Sequence, residues 1–355
     1  MFLIIGHGLA GALLAEALLK RGQEVRVIDA GPADRVLKAS AVASGVLNPV
    51  TGKRLTRVWN LETFLPAALR TYRALEEEMA LPLVQELDAL WLHANPEDAA
   101  LFATRAEGDA ELFEATINPR PYEEFLHLRE APGRIHPVYG INIPQLLSGL
   151  RERLKNIGAL IEEAFDLPDL QTGTDGLRYR DLEVSHVIFC EGAAAVVNPH
   201  FQNLPWSPAA GEALILRIPR LPRTAVYKLG HGLSLSPWPG GEEQWWIGSN
   251  YLWDTLAPAP TAAFRQHCEA QLKAWVRLPY EIIEHRAGVR PATVDRKPFI
   301  GLHPTHPRIG IFNGLGAKGV LMAPYLAENL AAHLAEGLTL MPEADVSRHR
   351  RALTR

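Results

Sequence analysis

Cysteine is scarce in this sequence, and its scarcity excludes two kinds of protein. Only Cys190 and Cys268 occur among the 355 residues. Two cysteines cannot supply a disulfide framework or a cysteine-rich metal site, so we expect a reducing compartment. The 13 histidines are scattered, and no His, Cys, Asp or Glu cluster has metal-ligand spacing. We therefore predict no metal site.

A strong net charge and a long apolar run are also missing. The chain has 36 Lys and Arg against 40 Asp and Glu, a net charge of −4, which argues against a broad nucleic-acid-binding surface. No stretch reaches the roughly 20 apolar residues of a membrane span. The apolar start lacks a preceding basic segment and contains three glycines and Glu16, so it does not resemble a signal peptide. We expect a cytoplasmic protein that does not bind membranes.

The size and composition that are present suit a globular protein of two domains. Hydrophobic residues make up 47% and charged residues 21% of the chain, which is ordinary for a soluble protein. At about 150 residues per domain, the length suggests two domains. The 28 glycines and 27 prolines indicate many loops without low complexity.

A β-α-β unit with a glycine-rich turn begins at the N-terminus. Residues 2–5 predict a buried strand, residues 10–21 a helix and residues 24–29 a second strand. Gly6, Gly8 and Gly11 match G-x-G-x-x-G between the first strand and the helix. Asp29 follows 18 residues after Gly11. This combination predicts a dinucleotide site.

Each part of the unit has a role toward such a ligand. Gly8 lets the backbone approach a pyrophosphate, and the helix N-terminus favours negative charge there. Asp29 can accept hydrogen bonds from ribose hydroxyls, and its charge disfavours a 2′-phosphate. The pattern alone does not distinguish FAD from NAD.

A second glycine-rich loop near the C-terminus favours a flavin. Residues 308–312 predict a strand, Gly314, Gly316 and Gly319 form the loop, and residues 322–336 predict a helix. Such a loop offers backbone N–H groups to an anion, and a reduced flavin is anionic at its N1–C2=O edge. The alternative is a glycine loop that serves packing alone.

Four stretches in this order resemble the D-amino acid oxidase / glycine oxidase superfamily of FAD-dependent oxidoreductases. They are IIGHGLAGALLAEALLKRGQEVRVID, SAVASGVLNP, GVRPATVDRKPFIG and GLGAKGVLMAP. With HVIFCEGAA between them, the resemblance extends over nearly the whole chain. Within the superfamily, the sequence resembles the oxidase domain of the bifunctional enzymes that make 5-methylaminomethyl-2-thiouridine in tRNA.

The resemblance implies an α/β fold in which a Rossmann-like FAD-binding domain is interleaved with a mixed-sheet substrate domain. Residues 1–85, 141–205 and 285–355 would form the FAD-binding domain. Residues 86–140 and 206–284 would form the substrate domain. Glycine motifs at both ends of the chain agree with this division.

The resemblance also implies a non-covalent FAD and its contacts. Ser44–Val46 would lie along the flavin, Gly192 would approach the pyrophosphate, and the Phe165 backbone would contact the adenine side. The full predicted cofactor set is Gly6, Gly8, Leu9, Ala10, Gly11, Asp29, Ala30, Ser44, Gly45, Val46, Phe165, Gly192, Arg290, Gly314, Gly316, Ala317, Lys318, Gly319 and Val320.

Three residues are candidates for catalysis. Arg290 matches the superfamily position that often holds a substrate carboxylate, and a guanidinium suits a bidentate grip. Its alternative is a structural arginine paired with Asp295 or a backbone carbonyl. Lys318 would stabilise the anionic flavin or activate oxygen, or would simply face solvent. Tyr251, beside Asn250, would line the substrate pocket or serve packing.

The sequence departs from the family pattern at two places. Relatives of the glycine oxidase type often have a basic residue where Ala317 stands, which makes glycine a doubtful substrate. Lys53, Arg54 and Arg57 could form a basic entrance for an anionic substrate, or a solvated loop.

The implied reaction is oxidation of a C–N bond in a small amine or amino acid. A hydride would pass from the α-carbon to flavin N5, and the resulting imine would be hydrolysed. One alternative is oxidation of a carboxymethylaminomethyl uridine in tRNA, which the net charge of −4 does not favour. The other is a non-catalytic flavoprotein. The substrate, the electron acceptor and the oligomeric state are not predicted.

Overall fold

A computed structural model describes residues 1–31, 38–52, 54–173, 176–230, 232–253 and 255–354. In chain order the strands and helices are β1 Phe2–Ile5, α1 Leu9–Leu19, β2 Val25–Ile28, α2 Ala39–Val42, β3 Val46–Leu47, β4 Val50–Thr51, β5 Thr56–Arg57, α3 Leu61–Met79, β6 Val84–Leu92, α4 Pro96–Gly108, β7 Phe113–Glu114, β8 Gly133–Ile141, α5 Ile143–Asn156, β9 Leu160–Ile161, β10 Leu170–Thr172, β11 Leu177–Tyr179, β12 Leu182–Val184, β13 His186–Phe189, β14 Ala209–Arg217, β15 Ala225–Leu229, β16 Leu233–Pro237, β17 Gln244–Gly248, α6 Ala262–Trp275, β18 Glu281–Arg290, β19 Phe299–Leu302, β20 Ile309–Asn313, α7 Gly319–Glu336 and α8 Arg350–Leu353. Short 3-10 turns, including Gly192–Val197 and Gly316–Lys318, join some of them.

A six-stranded sheet has the order β19-β20-β13-β1-β2-β9. Its strands are parallel except β19, which pairs antiparallel with β20 at one edge. All four residues of β1 are buried, as expected for a central parallel strand with both faces covered. Phe2 and Ile4 pack into one core, and Leu3 and Ile5 pack into another on the opposite face.

Helix α1 is enclosed, and apart from Glu16 its residues are all apolar or glycine. Ten of its 11 residues are buried, and it packs against α5, α7 and the six-stranded sheet. Gly11 makes the close approach to the sheet possible, because a Cβ at this position would collide with the Gly6 carbonyl oxygen. Gly6 itself has φ +100, a conformation that glycine adopts without strain. The first and third glycines of the motif therefore shape the turn and seat the helix.

A nine-stranded mixed sheet runs in the order β18-β14-β17-β16-β15-β6-β8-β3, with β7 paired to β8. The pairs β14–β17, β15–β16 and β16–β17 are antiparallel, whereas β15 runs parallel to β6. One face is apolar and packs on α6 through residues such as Leu214, Tyr227 and Trp245. Because side chains alternate along a strand, the residues between them point to the other face.

Most predicted elements lie where the sequence placed them, with small shifts. Helix α3 runs without interruption through Pro66. Helix α7 begins at Gly319, three residues before the predicted start at 322, so its N-terminus adjoins the glycine loop. The predicted domain borders after 85 and after 284 fall inside β6 and β18, and β3 joins the larger sheet. The division into domains stays a prediction.

The two ends of the sequence meet in the first sheet. β1 lies beside β13, β13 lies beside β20, and α7 packs on α1. Among the helices within the described ranges, none combines the length and apolar character needed to cross a bilayer.

Candidate active site

One cavity of about 920 Å³ is lined by residues from both sheets. Its lining includes the glycine turn after β1 and the end of β2. The second glycine loop and residues 44–46 also line it. The face of the nine-stranded sheet away from α6, including the end of β18, contributes another part of the wall. Glycine motifs more than 300 residues apart in the sequence therefore share one space.

Most of the predicted site residues line this cavity. They are Gly6, Gly8, Leu9, Ala10, Asp29, Ser44, Gly45, Val46, Gly192, Tyr251, Arg290, Gly316, Ala317, Lys318, Gly319 and Val320. Four predicted cofactor residues are not among its lining: Gly11, Ala30, Phe165 and Gly314. Gly11 packs under the turn, and Gly314 packs on Thr293. Phe165 stacks on Tyr179 at 4.9 Å.

Gly8 leaves the space in front of helix α1 open. A Cβ built at Gly8 meets only Ser40 Oγ, at 3.6 Å, so a side chain there would project into the cavity. Gly8 is also the N-cap of α1 and has no side chain to cap this end, while the Leu9 N–H donates to Ser40 Oγ at 3.2 Å. A helix N-terminus behind an open glycine cradle is suited to bind phosphate.

Asp29 lies at the end of β2 and is buried, as the fingerprint predicts. Its carboxylate accepts hydrogen bonds from the backbone N–H groups of His7 and Gly31 and from the side chains of Lys38 and Arg151. Burial alone would raise its pKa, but these donors hold the pKa below its ordinary value. Lys38 and Arg151 carry no recognisable sequence motif, and we did not predict them.

The second glycine loop places Lys318 in the lining of the cavity. Its ammonium donates to the backbone oxygens of Asn48 and Val50, at 3.1 and 3.0 Å. Burial lowers the pKa of Lys318 to about 7, and the charge of Lys228 adds to this effect. No described carboxylate forms an ion pair with either lysine. The ammonium is therefore costly to keep charged until an anion binds nearby.

The lowered pKa of Lys318 predicts a pH dependence of stability. The folded apoprotein binds fewer protons than the unfolded chain between pH 7 and 10.5, so this group makes stability rise with pH over that window. Lys318→Met removes the charge, and its effect on Tm should be most favourable below pH 7 and decline toward pH 10. Thermal melts of the apoprotein across this range measure the effect. The exposed Lys273→Met is the control, and an equal, pH-independent shift in both variants would contradict the prediction.

Arg290, the last residue of β18, extends its guanidinium into the cavity. Nη1 donates to the carbonyl oxygens of Ala210 and Asn250 at 3.2 and 3.3 Å, and Nη2 donates to Ser249 Oγ at 2.7 Å. The Tyr251 ring covers one face at 4.4 Å. Burial lowers the pKa of Arg290, and no described carboxylate pairs with it. The guanidinium is thus oriented by neutral groups and keeps its charge available for a ligand.

Asp295, the alternative partner considered for Arg290, points elsewhere. Its carboxylate accepts hydrogen bonds from Thr293 Oγ1 and the Lys297 N–H, and it lies 3.4 Å from Arg348 Nη2. The backbone-carbonyl part of that alternative is present, because Arg290 contacts two carbonyl oxygens.

A buried glutamate supports the residues around Arg290. Glu212 has no exposed surface and accepts hydrogen bonds from Asn250 Nδ2, Thr261 N and Thr261 Oγ1. His285 Nε2 lies 2.9 Å from Glu212 Oε2. Asn250 in turn contacts Arg290 through its backbone oxygen. We missed Glu212 in the sequence, although a charged residue inside the apolar run GEALIL was a usable signal.

Arg57, one of the three basic residues predicted as a possible entrance for an anionic substrate, is already paired with acids. Arg57 forms ion pairs with Glu62, Asp109 and Glu111, which raise its pKa above the ordinary value. Lys53 lies outside the described residues. No group of three or more His, Cys, Asp or Glu within the described ranges is placed to hold a metal ion.

The cavity fits FAD on its own features. The open cradle at Gly8 precedes a helix N-terminus, as a pyrophosphate requires. The second helix N-terminus, that of α7, adjoins the loop Gly316–Lys318 in the same cavity and can face an anionic ring edge. Neither Cys190 nor Cys268 is exposed, and both are free thiols that burial makes poor nucleophiles by raising their pKa.

Comparison with known proteins supports this interpretation. The family model "DAO: FAD dependent oxidoreductase" matches residues 1–333. The bifunctional tRNA 5-methylaminomethyl-2-thiouridine biosynthesis protein MnmC of Azoarcus sp. (strain BH72) is 25% identical over 97% of this chain. The same protein of Thiobacillus denitrificans (strain ATCC 25259 / T1) is 28% identical over 97%. The chain spans little more than half of these relatives, 58% of each.

Solved structures share the fold at low identity. Glycine oxidase from Geobacillus kaustophilus superposes with a TM-score of 0.78 at 21% identity, covering 95% of both chains. Iminodiacetate oxidase from Chelativorans sp. BNC1 has a TM-score of 0.77 at 19% identity, covering 97% of this chain and 98% of that one. The cradle, the paired glycine loops and the family match over residues 1–333 lead to one conclusion: the chain belongs to the DAO family of FAD-dependent oxidoreductases.

Proposed function

We propose that this protein oxidises the C–N bond of a small amine or amino acid whose carboxylate is held by Arg290. The observation that carries the proposal is the Arg290 guanidinium, which lines the cavity with no described carboxylate partner. A desolvated guanidinium without a counter-ion favours an anionic ligand, and its planar fork suits a carboxylate.

The residues of the chain have separate tasks in this reaction. Arg290 would fix the substrate carboxylate, and thereby the direction of its α-carbon, which is an effect of positioning. Tyr251 would keep water from one face of the guanidinium, because its ring covers that face at 4.4 Å. FAD, when bound, supplies the hydride acceptor. Lys318 and the N-terminus of α7 would offset negative charge beside the second glycine loop.

The names of the structural neighbours agree with this substrate class. They include a glycine oxidase, an iminodiacetate oxidase and an L-proline dehydrogenase. Each of those proteins is named for a small amino or imino acid. The shared fold makes the same reaction class a reasonable proposal for this chain, although fold alone does not determine substrate.

Anaerobic titration of the purified yellow protein tests the proposal. N-substituted glycines, proline analogues and D-amino acids are added in turn, and bleaching of the flavin absorbance is followed. We expect at least one carboxylate-bearing amine to bleach the flavin, while the corresponding methyl ester does so far less well. Absence of bleaching by every amine would favour a non-catalytic flavoprotein.

Gly211 provides a sharper test of Arg290. A Cβ at Gly211 would collide with the Arg290 guanidinium, because it would lie only 2.7 Å from Arg290 Cζ. Gly211→Ala should therefore displace the guanidinium and lower kcat/KM by about tenfold to a hundredfold. In an Arg290→Ala background the collision is gone, so the second change should have little effect. Equal losses in both backgrounds would contradict this explanation.

A second candidate function follows from the MnmC relatives, which are named for tRNA modification. In this alternative the substrate amine is carried by a tRNA. Phosphate contacts would make the affinity for tRNA fall steeply with salt. A binding series across salt concentrations separates the two candidates: salt-dependent tRNA binding supports this one, and free amines that reduce the flavin without tRNA support the first.

A further inference from the structure

Lys228 occupies a position in the cavity that the proposed reaction does not use. It is the fourth of the five residues of β15 and lies between Trp91 of β6 and Ser234 of β16, its neighbours in the sheet. Tyr227 and Leu229, on either side of it, point to the opposite face and pack in the core against α6. The alternation of the strand therefore directs Lys228 to the cavity face, and all three of Trp91, Lys228 and Ser234 line the cavity.

The ammonium of Lys228 has spare hydrogen-bonding capacity. It donates to Ser234 Oγ at 2.5 Å and lies 5.8 Å from the centre of the Trp91 ring. An ammonium has three N–H donors, so two remain for a ligand. The indole face stabilises the cation without neutralising it.

No acid in the described part of the chain balances this charge. Within those residues, Lys228 forms no ion pair, and burial alone lowers its pKa to about 8. Of the described lysines that line the cavity, Lys38 alone has a carboxylate partner, Asp29. Lys228 thus resembles Arg290 in electrostatic terms: both are cavity cations held by neutral groups.

On this basis, and resting on the proposed function, we infer that the substrate is a dicarboxylate. Arg290 would hold the carboxylate next to the oxidised C–N bond, and Lys228 with Ser234 would bind a second carboxylate at the far end of the molecule. A single ammonium, one hydroxyl and an aromatic wall suit a monoanion. A phosphate dianion is usually held by more donors, such as an arginine fork or a helix N-terminus.

Binding of sulfur analogues to the FAD-loaded protein tests the inference without turnover. The acids have a carboxymethyl group joined through sulfur to a chain of one, two or three methylene groups that ends in a second carboxylate. Each acid is compared with the analogue in which the distal carboxylate is a carboxamide of nearly the same shape. Sulfur replaces the nitrogen, so the flavin is not reduced, and affinity is read from the perturbed flavin spectrum.

We expect at least one acid to bind about tenfold or more tightly than its amide, because the ammonium then pairs with an anionic carboxylate rather than a neutral amide oxygen. Lys228→Met should reduce that preference to near unity while leaving the affinity for the amide within about threefold. Lys228→Arg, which keeps the charge, should retain a preference for the acid. Lys273→Met, an exposed lysine outside the cavity, is the matched control and should behave as the parent protein.

Two results would overturn the inference. One is that no acid in the series binds more tightly than its amide. The other is that the preference survives in Lys228→Met. Failure of the proposed function would give a different result, namely a flavin that no amine reduces. The two failures are therefore distinguishable.

Discussion

A Gly8→Val protein is expected to fold normally and to purify without the yellow colour of FAD. The backbone at Gly8 has φ −84 and ψ −171, an extended conformation that valine also adopts. A Cβ meets only Ser40 Oγ, at the ordinary contact distance of 3.6 Å, so the backbone need not shift to accept a side chain. It does occupy the cradle in front of α1, where the pyrophosphate belongs. We expect a loss of about 3 kcal/mol, or about a hundredfold or more in the Kd for FAD.

Absorbance of the purified protein and titration of the apoprotein with FAD measure this effect. Gly108→Val is the matched control, because a Cβ at Gly108 meets nothing within 4 Å and the residue does not line the cavity. Circular dichroism and thermal melts establish that both variants are folded. If Gly8→Val folds and keeps its FAD, the turn that contains Gly6 and Gly8 does not bind the pyrophosphate.

Replacing Arg290 with methionine is expected to abolish most of the activity while leaving FAD bound. Removing one partner of a buried charge pair costs about 2–5 kcal/mol, so kcat/KM should fall by roughly 30-fold to several thousandfold. Most of the loss should disappear for a substrate analogue that lacks the carboxylate, because it has nothing to pair with Arg290. Arg290→Lys should recover only part of the activity, since a lysine lacks the bidentate fork.

Stopped-flow reduction of the flavin with the best amine substrate measures this prediction. Arg217→Met serves as the control, because Arg217 is exposed on β14 and pairs with Glu281 outside the cavity. Its kcat/KM should remain close to that of the parent. An Arg290→Met protein that is reduced as fast and at the same substrate concentration would remove the carboxylate role.

Local sequence patterns predicted part of the cavity lining. Gly6, Gly8 and Asp29 follow from spacing within one β-α-β unit. Arg151, which donates to Asp29 from 122 residues further along the chain, does not. The second glycine loop is also a local strand–loop–helix pattern. The predicted start of helix α7 is three residues too late. Gly319 was assigned to the loop, but it is the first residue of the helix.

The substrate half could not be derived in the same way. Lys228 reaches the cavity only because β15 pairs with β6 and β16 in one register. If the register of β15 shifted by one residue, Tyr227 would face the cavity instead. Gly211 matters only because Arg290 crosses over it from the neighbouring strand. Such relations join residues far apart in the sequence, and a single sequence gives no measure of strand register.

The meeting of both chain ends in one sheet has a consequence for protein synthesis. β1 leaves the ribosome long before its partner β13, which begins at residue 186, and β13 in turn waits for β20 at residue 309. Until α7, Gly319–Glu336, has been translated, the apolar surface of α1 has no complete cover. Unfinished chains should therefore be prone to aggregation and dependent on chaperones, because long-range pairing is slow to form.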